Sequence, residues 1–265
     1  MKILDLKPKK GALVCMVKKN CMIFSPHQDD ACLGCGGVIS KKIKSKEKVT
    51  VVDVTDGRNC FWLMFGIKKD PTPKETISIR KNEDKKAMKK LGVDEKDLFF
   101  LGYEDGLLYK HKAEAKNKIL KLISEIKPSE IYICSTKDKH PDHVLTNVLV
   151  KECLKELDLD LRLYEYFIWS RFGIETNPPE DLIRIDIKNE IKNKKEAIEC
   201  YKSKISKFTS TQKSPVLDEK FLSFFYKNHE LFRRINSNKN ESKIRNLIST
   251  LKLRYTILYY NRFRI

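Results

Sequence analysis

A strand–helix alternation, repeated about five times through roughly the first 170 positions, constrains this 265-residue chain more than any other feature. Residues 21–25, 49–55, 98–101, 130–134 and 162–169 are short runs rich in β-branched and aromatic side chains, the composition of strands. The second run, VTVVDVT, is almost continuously apolar, as a strand covered on both faces must be. Between these runs, residues 33–46, 75–91, 113–126 and 143–157 carry a helical period; Gly92 stops the second helix and Pro128 follows the third. The pattern predicts an α/β fold, an open and mostly parallel sheet with helices on both faces. Beyond residue 170 the alternation stops. A short strand over 183–187 and two C-terminal helices, a charged one over 188–205 and a Phe-rich one over 218–235, complete the reading.

In such sheets ligands bind outside the carboxyl ends of the strands, and two clusters of chemistry-bearing residues fall there. Ser25-Pro26-His27-Gln28-Asp29-Asp30 follows the first strand, and Lys139-His140-Pro141-Asp142-His143 follows the fourth. Catalytic zinc sites take three His or carboxylate ligands and keep a fourth position for water, whose pKa then falls to about 7. His27, Asp30 and His143 supply such a set, leaving Asp29 to take a proton and His140 to face a substrate oxygen. Each cluster alone also has a bland reading. A histidine at a helix start is commonly a cap or surface group, and Asp29-Asp30 reads equally as an N-cap followed by a first-turn acid. The pair of clusters favours chemistry; His111 and His229 stand apart and receive no role.

The stretch PHQDDACLGCGGVI resembles the P-H-x-D-D-x-x-x-G-x-G-G signature of the LmbE-like and PIG-L-like zinc N-deacetylases, and HPDH resembles their second metal motif. Residues 49–57, Arg80 with Glu83, Leu91-Gly92 and the run Leu101 to Gly106 extend the likeness, which covers residues 21 to about 235. The resemblance implies a Rossmann-like fold and a deacetylase domain, taken as 1–235, and the linker composition of Asn236 to Ser242 sets off 236–265 as a separate tail. It implies zinc, or another divalent metal, on His27, Asp30 and His143, with Asp29 as general base and His140 as oxyanion stabiliser. Asp142 would orient His140, and Arg80 would clamp substrate. Gly34, Gly36 and Gly37 would let backbone approach the site, without forming a dinucleotide fingerprint, because Ile39 stands where the last glycine is needed. The departures are Gln28 for the usual proline, Ala31 for the usual glutamate and Lys204 where glutamine is more frequent. The implied reaction is hydrolysis of the acetamide of an N-acetylated amino sugar.

Composition narrows the alternatives. Fifty-four Lys and Arg against 36 Asp and Glu give a net charge of +18, but most lysines are interspersed with acids, as on a solvated face. A basic nucleic-acid-binding protein has only this charge in its favour, so no nucleic acid is expected; a non-catalytic sugar-binding relative is the other alternative. The eight cysteines, including the C-x-x-C of Cys32 and Cys35, read as free thiols. With no long apolar run and no export signal, a cytoplasmic protein is expected. The basic, aromatic tail, with Tyr255, Tyr259, Tyr260 and Phe263 among arginines, fits either an anionic membrane surface, giving a peripheral position, or a contact between copies.

Overall fold

In the computed structural model, which describes residues 20–61, 71–159, 161–210 and 212–235, seven strands form one sheet in the order β3-β2-β1-β4-β5-β7-β6. They are β1 (Asn20–Ser25), β2 (Lys48–Thr55), β3 (Leu98–Tyr103), β4 (Glu130–Cys134), β5 (Arg162–Tyr166), β6 (Leu182–Asp186) and β7 (His229–Ile235). β1 to β5 pair in parallel, and β7 runs antiparallel between β5 and β6. The helices are α1 (Asp30–Lys44), α2 (Pro73–Leu91), α3 (Lys112–Ile126), α4 (Pro141–Glu156), α5 (Arg171–Thr176), α6 (Ile191–Ile198), α7 (Lys202–Ile205) and α8 (Glu219–Ser223). The expected mostly parallel α/β architecture is thus present.

Successive strand side chains point to opposite faces, and the sheet is covered on both accordingly. On β1, Cys21 and Ile23 join a core with α1, α2 and α6, while Met22 and Phe24 join a second core with α3 and α4. β2 divides likewise, Val49 and Val51 against Val52 and Val54. Fully burying such a side chain contributes roughly 1.5–3 kcal/mol, so the central strands anchor the fold.

The chain differs from expectation in three places, two of them in its second half. Residues 218–235 hold a short helix, α8, and then the strand β7, not one long helix. The reason is tertiary: Glu230 is fully buried and accepts hydrogen bonds from Gly37 N (2.7 Å), Val38 N (2.9 Å) and Lys194 Nζ (2.6 Å), which pins β7 into the sheet beneath α1. Breaking such a buried pair on one side costs about 3–5 kcal/mol. The helix expected over 188–205 splits into α6 and α7 around Tyr201, whose hydroxyl donates to Asp84 (2.6 Å). The helix-1 glycines serve packing, not the site: a methyl on Gly34 would overlap the Tyr166 ring, and one on Gly37 would lie 2.5 Å from Ile187 Cδ1.

The described cysteines are free thiols; Cys32 and Cys35 are buried, and burial pushes both pKa values well up. No helix among the described residues is long and apolar enough to cross a membrane. The 236–265 tail lies outside the described residues.

Candidate active site

β1 and β4 are neighbours in the sheet, and the chain leaves β1 in one direction and returns to β4 on its other side, which makes their carboxyl ends the switch-point crevice. The loop after β1 is tied to β2. Thr55 N and Oγ1 donate to Pro26 O (3.0 and 2.7 Å), and Gln28 Nε2 donates to Thr55 O (2.6 Å). Gln28 therefore anchors the loop where the resembled family has proline. After β4, Ser135 opens a single 3-10 turn, Lys139 adopts a left-handed conformation (φ 58°), and His140 caps α4 ahead of Pro141. That chain reversal aims His140 and His143 at the loop carrying His27.

Three atoms from the two loops form a triangle. His27 Nδ1 lies 3.1 Å from Asp30 Oδ2 and 3.2 Å from His143 Nε2, and His143 Nε2 lies 3.1 Å from Asp30 Oδ2. Tetrahedral zinc with bonds of about 2.0–2.1 Å places neighbouring ligand atoms about 3.3 Å apart, so this donor set fits a metal of that kind. The outward nitrogens are held as metal-binding imidazoles require. His143 Nδ1 meets Asp138 Oδ2 at 3.0 Å, and His27 Nε2 meets Asp105 Oδ1 at 3.1 Å and Asp142 Oδ2 at 3.3 Å. Cys134 also lies near Asp30 and His143, but burial pushes its thiol pKa well up and keeps it neutral.

Without a metal, these groups pair as ions. Burial works against a charged His143, yet Asp30 and then Asp138 outweigh it and lift its pKa to about 9. His27 is raised well above its ordinary value in the same way, against burial, by Asp105, Asp142 and Asp30. His27 in turn holds the Asp105 carboxyl down at about 2 despite its burial. His140 goes the other way. Burial, then His27 and His143, push it down to about 3, so it is neutral. Its Nδ1 accepts from Asp142 N (3.3 Å), which leaves Nε2 to carry the ring proton.

The remaining expected residues are brought to the same place, two of them with contacts other than those the resemblance implies. Asp29 is buried, and its Oδ1 accepts from Arg80 Nη2 at 2.6 Å while Oδ2 lies 3.9 Å from Lys204 Nζ. Arg80 is only 1% exposed and stands behind Asp29. In this geometry the Arg80 guanidinium contacts Asp29, where the resemblance has it clamp substrate. The Asp142 carboxylate, assigned by resemblance to His140, turns instead to Gly106 N (2.7 Å) and His27 Nε2; only its backbone N–H meets His140.

Sequence reasoning missed Asp105, Asp138 and Lys204 as parts of the site. Asp105 and Asp138 follow β3 and β4, and an acid just beyond the carboxyl end of a parallel strand is the signal that could have found them. Asp138 is buried with several donors on it: Ile168 N, Ser170 N (3.0 Å), Ser170 Oγ (2.5 Å) and His143. Lys204 arrives from a remote part of the sequence, placed by Glu83, which accepts from Ser203 N (2.7 Å) and Ser203 Oγ (2.5 Å).

Sheet, crevice and donor set together define an α/β protein with a metal-type donor set at the β1/β4 switch point. Residues 22–154 match the sequence profile of PIG-L, described as GlcNAc-PI de-N-acetylase. The chain belongs to the PIG-L family, and with the family comes the enzyme class, a hydrolase of N-acetyl amides on sugars. Solved structures share the fold. N,N'-diacetylchitobiose deacetylase from Pyrococcus horikoshii matches with a TM-score of 0.62 at 20% identity, over 83% of this chain and 84% of that one. The A40926 pseudoaglycone deacetylase matches with a TM-score of 0.62 at 21% identity, over 84% and 99%. The 4-carboxy-2-hydroxymuconate hydratase GalB from Pseudomonas putida matches with a TM-score of 0.63 at 16% identity, over 84% and 99%. At these identities the likeness shows the fold alone, and a hydratase among the matches means that the reaction must be argued from the site.

Proposed function

We propose that this protein hydrolyses the acetamide of an N-acetylated amino sugar, an N-acetylglucosamine-type conjugate, using zinc held by His27, Asp30 and His143. The observation that carries the reading is the 3.1–3.2 Å triangle of those three ligand atoms, with Asp29 and His140 beside it. The family description, and the deacetylases among the fold relatives, support an amino-sugar acetamide over other amides.

Zinc in this site supplies the positive charge that polarises the acetamide carbonyl and the attacking water. Asp29 takes the proton of that water at Oδ2, because Oδ1 is engaged by Arg80. Neutral His140 donates its Nε2 proton as a hydrogen bond to the carbonyl oxygen as negative charge develops there. Asp29 then returns the proton to the nitrogen as the C–N bond breaks, giving acetate and the free amine. Neutral His140 has no second proton to give, which favours Asp29 for this last step. The same reading takes 1–235 as the catalytic domain of a cytoplasmic enzyme and 236–265 as its contact with an anionic membrane or a second copy.

Metal analysis of the purified protein, combined with acetate release from N-acetylglucosamine conjugates, tests the proposal. The expected result is about one divalent metal per chain and measurable acetate. Asp29→Ala should keep the metal and lose about 10²–10⁴ in kcat. A protein that takes up no divalent metal and releases no acetate from any amino-sugar conjugate overturns the reading.

A further inference from the structure

Beside the reaction centre, the carboxyl ends of β4 and β5 frame a hollow of about 420 Å³, lined in part by Lys137, Lys139, Trp169, Ser170 and Gly173. Asp138 also lines it, and its carboxylate accepts from Ser170 N and Oγ and also holds His143 Nδ1. The hollow and the ligand triangle therefore share one wall, and Lys139 immediately precedes His140.

The lining has the chemistry of a sugar subsite. Trp169 stays 42% exposed although its ring packs on Phe221 (centroids 5.1 Å apart), leaving indole surface open to a flat, partly apolar ligand. Lys137 and Lys139 are exposed and have no ion-pair partner among the described residues. Gly173 sits within α5, where glycine weakens a helix, yet an added Cβ would meet nothing within 4 Å. Packing does not require glycine there. Its effect is to leave the wall of the hollow bare.

We infer that this hollow is a subsite for the sugar next to the acetylated one, a pyranose bearing an anionic group, either a phosphate ester or a carboxylate. Trp169 takes the ring face and the two lysines take the charge. The inference rests on the deacetylase reading for what occupies the neighbouring centre.

The test uses the zinc-loaded protein and four probes: N-acetylglucosamine, N-acetylglucosaminyl-glucose, the same disaccharide phosphorylated on its glucose, and the matching glucuronate. The chain has two tryptophans, so in a Trp62→Phe background the fluorescence reports Trp169 alone and reads binding independently of acetate release. The anionic disaccharides should bind and react about tenfold better in kcat/KM than the neutral one, with the gain shrinking as salt is added. Which anion is preferred assigns phosphate or carboxylate. Lys137→Ala/Lys139→Asn, with asparagine keeping the left-handed backbone at 139, should erase that preference without changing the neutral disaccharide. Gly173→Leu, a better helix former that fills the hollow, should weaken all disaccharides and spare the monosaccharide. Acetate release with equal kcat/KM for all disaccharides and no response from Trp169 overturns the subsite. No acetate from any probe, with Trp169 still responding to the anionic disaccharides, overturns the deacetylase reading and leaves the subsite standing.

Discussion

Asp29 and Asp30 are adjacent in sequence and stand in opposite electrical settings. Asp29 occupies the N-cap of α1 and faces fixed cations, Arg80 at 2.6 Å and Lys204 at 3.9 Å. Asp30, the first helical residue, faces imidazoles, with its Oδ2 at 3.1 Å from both His27 Nδ1 and His143 Nε2. The guanidinium of Arg80 stays charged, since Asp29 beside it outweighs burial and raises its pKa. In the proposed reaction the imidazoles would exchange their protons for a metal. One turn of chain thus divides two identical side chains between a wall whose charge is permanent and a wall whose charge is replaceable, which separates a proton carrier from a ligand.

The largest effect should come from breaking the replaceable wall. Asp30→Ala removes one ligand of three, and both metal content and acetate release should fall together, activity by about 10⁴ or more. Elemental analysis beside the rate assay checks it, and metal retained at the wild-type level would remove Asp30 from the ligand set. Disturbing the permanent wall should act differently. Arg80→Lys keeps the charge but loses the planar fork that fixes Asp29, so kcat should fall about 10²-fold with KM and metal content unchanged. A rise in KM with kcat intact would instead restore Arg80 as a substrate clamp.

Part of this division is legible in the amino-acid sequence itself. The two strand-end clusters bring His27, Asp30, Asp29, His140 and His143 together, because in a parallel α/β sheet a residue's place just beyond a strand is a local property of the sequence. The parts that escape depend on long-range packing. The contact of Arg80 with Asp29 emerges only once α2 is docked, with the side chain 1% exposed. Lys204 reaches Asp29 only because Glu83 pins Ser203, a pairing across 120 positions of sequence. β7 reads as helix because Glu230 and the arginines beside it break a simple strand alternation, and the reason for a buried Glu230, Lys194 and two amides of α1, lies in other elements.

The two walls should also respond differently to pH. With no metal, His143 binds a proton with a pKa of about 9, raised by Asp30 and Asp138 against burial, so below that value the protonated form competes with the metal for Nε2. Loading must expel this proton. Raising the pH from 7 to 9 should therefore strengthen metal binding by at least about tenfold per unit, and by up to about a hundredfold per unit because His27, also raised well above its ordinary value, must lose its proton too. Arg80 keeps its charge across this range, and a metal-loaded enzyme should hold its geometry at Asp29 throughout. Chelator competition across that pH range measures the slope. A slope near zero would mean that His143 binds no metal through Nε2, and the comparison between the two aspartates would lose its imidazole side.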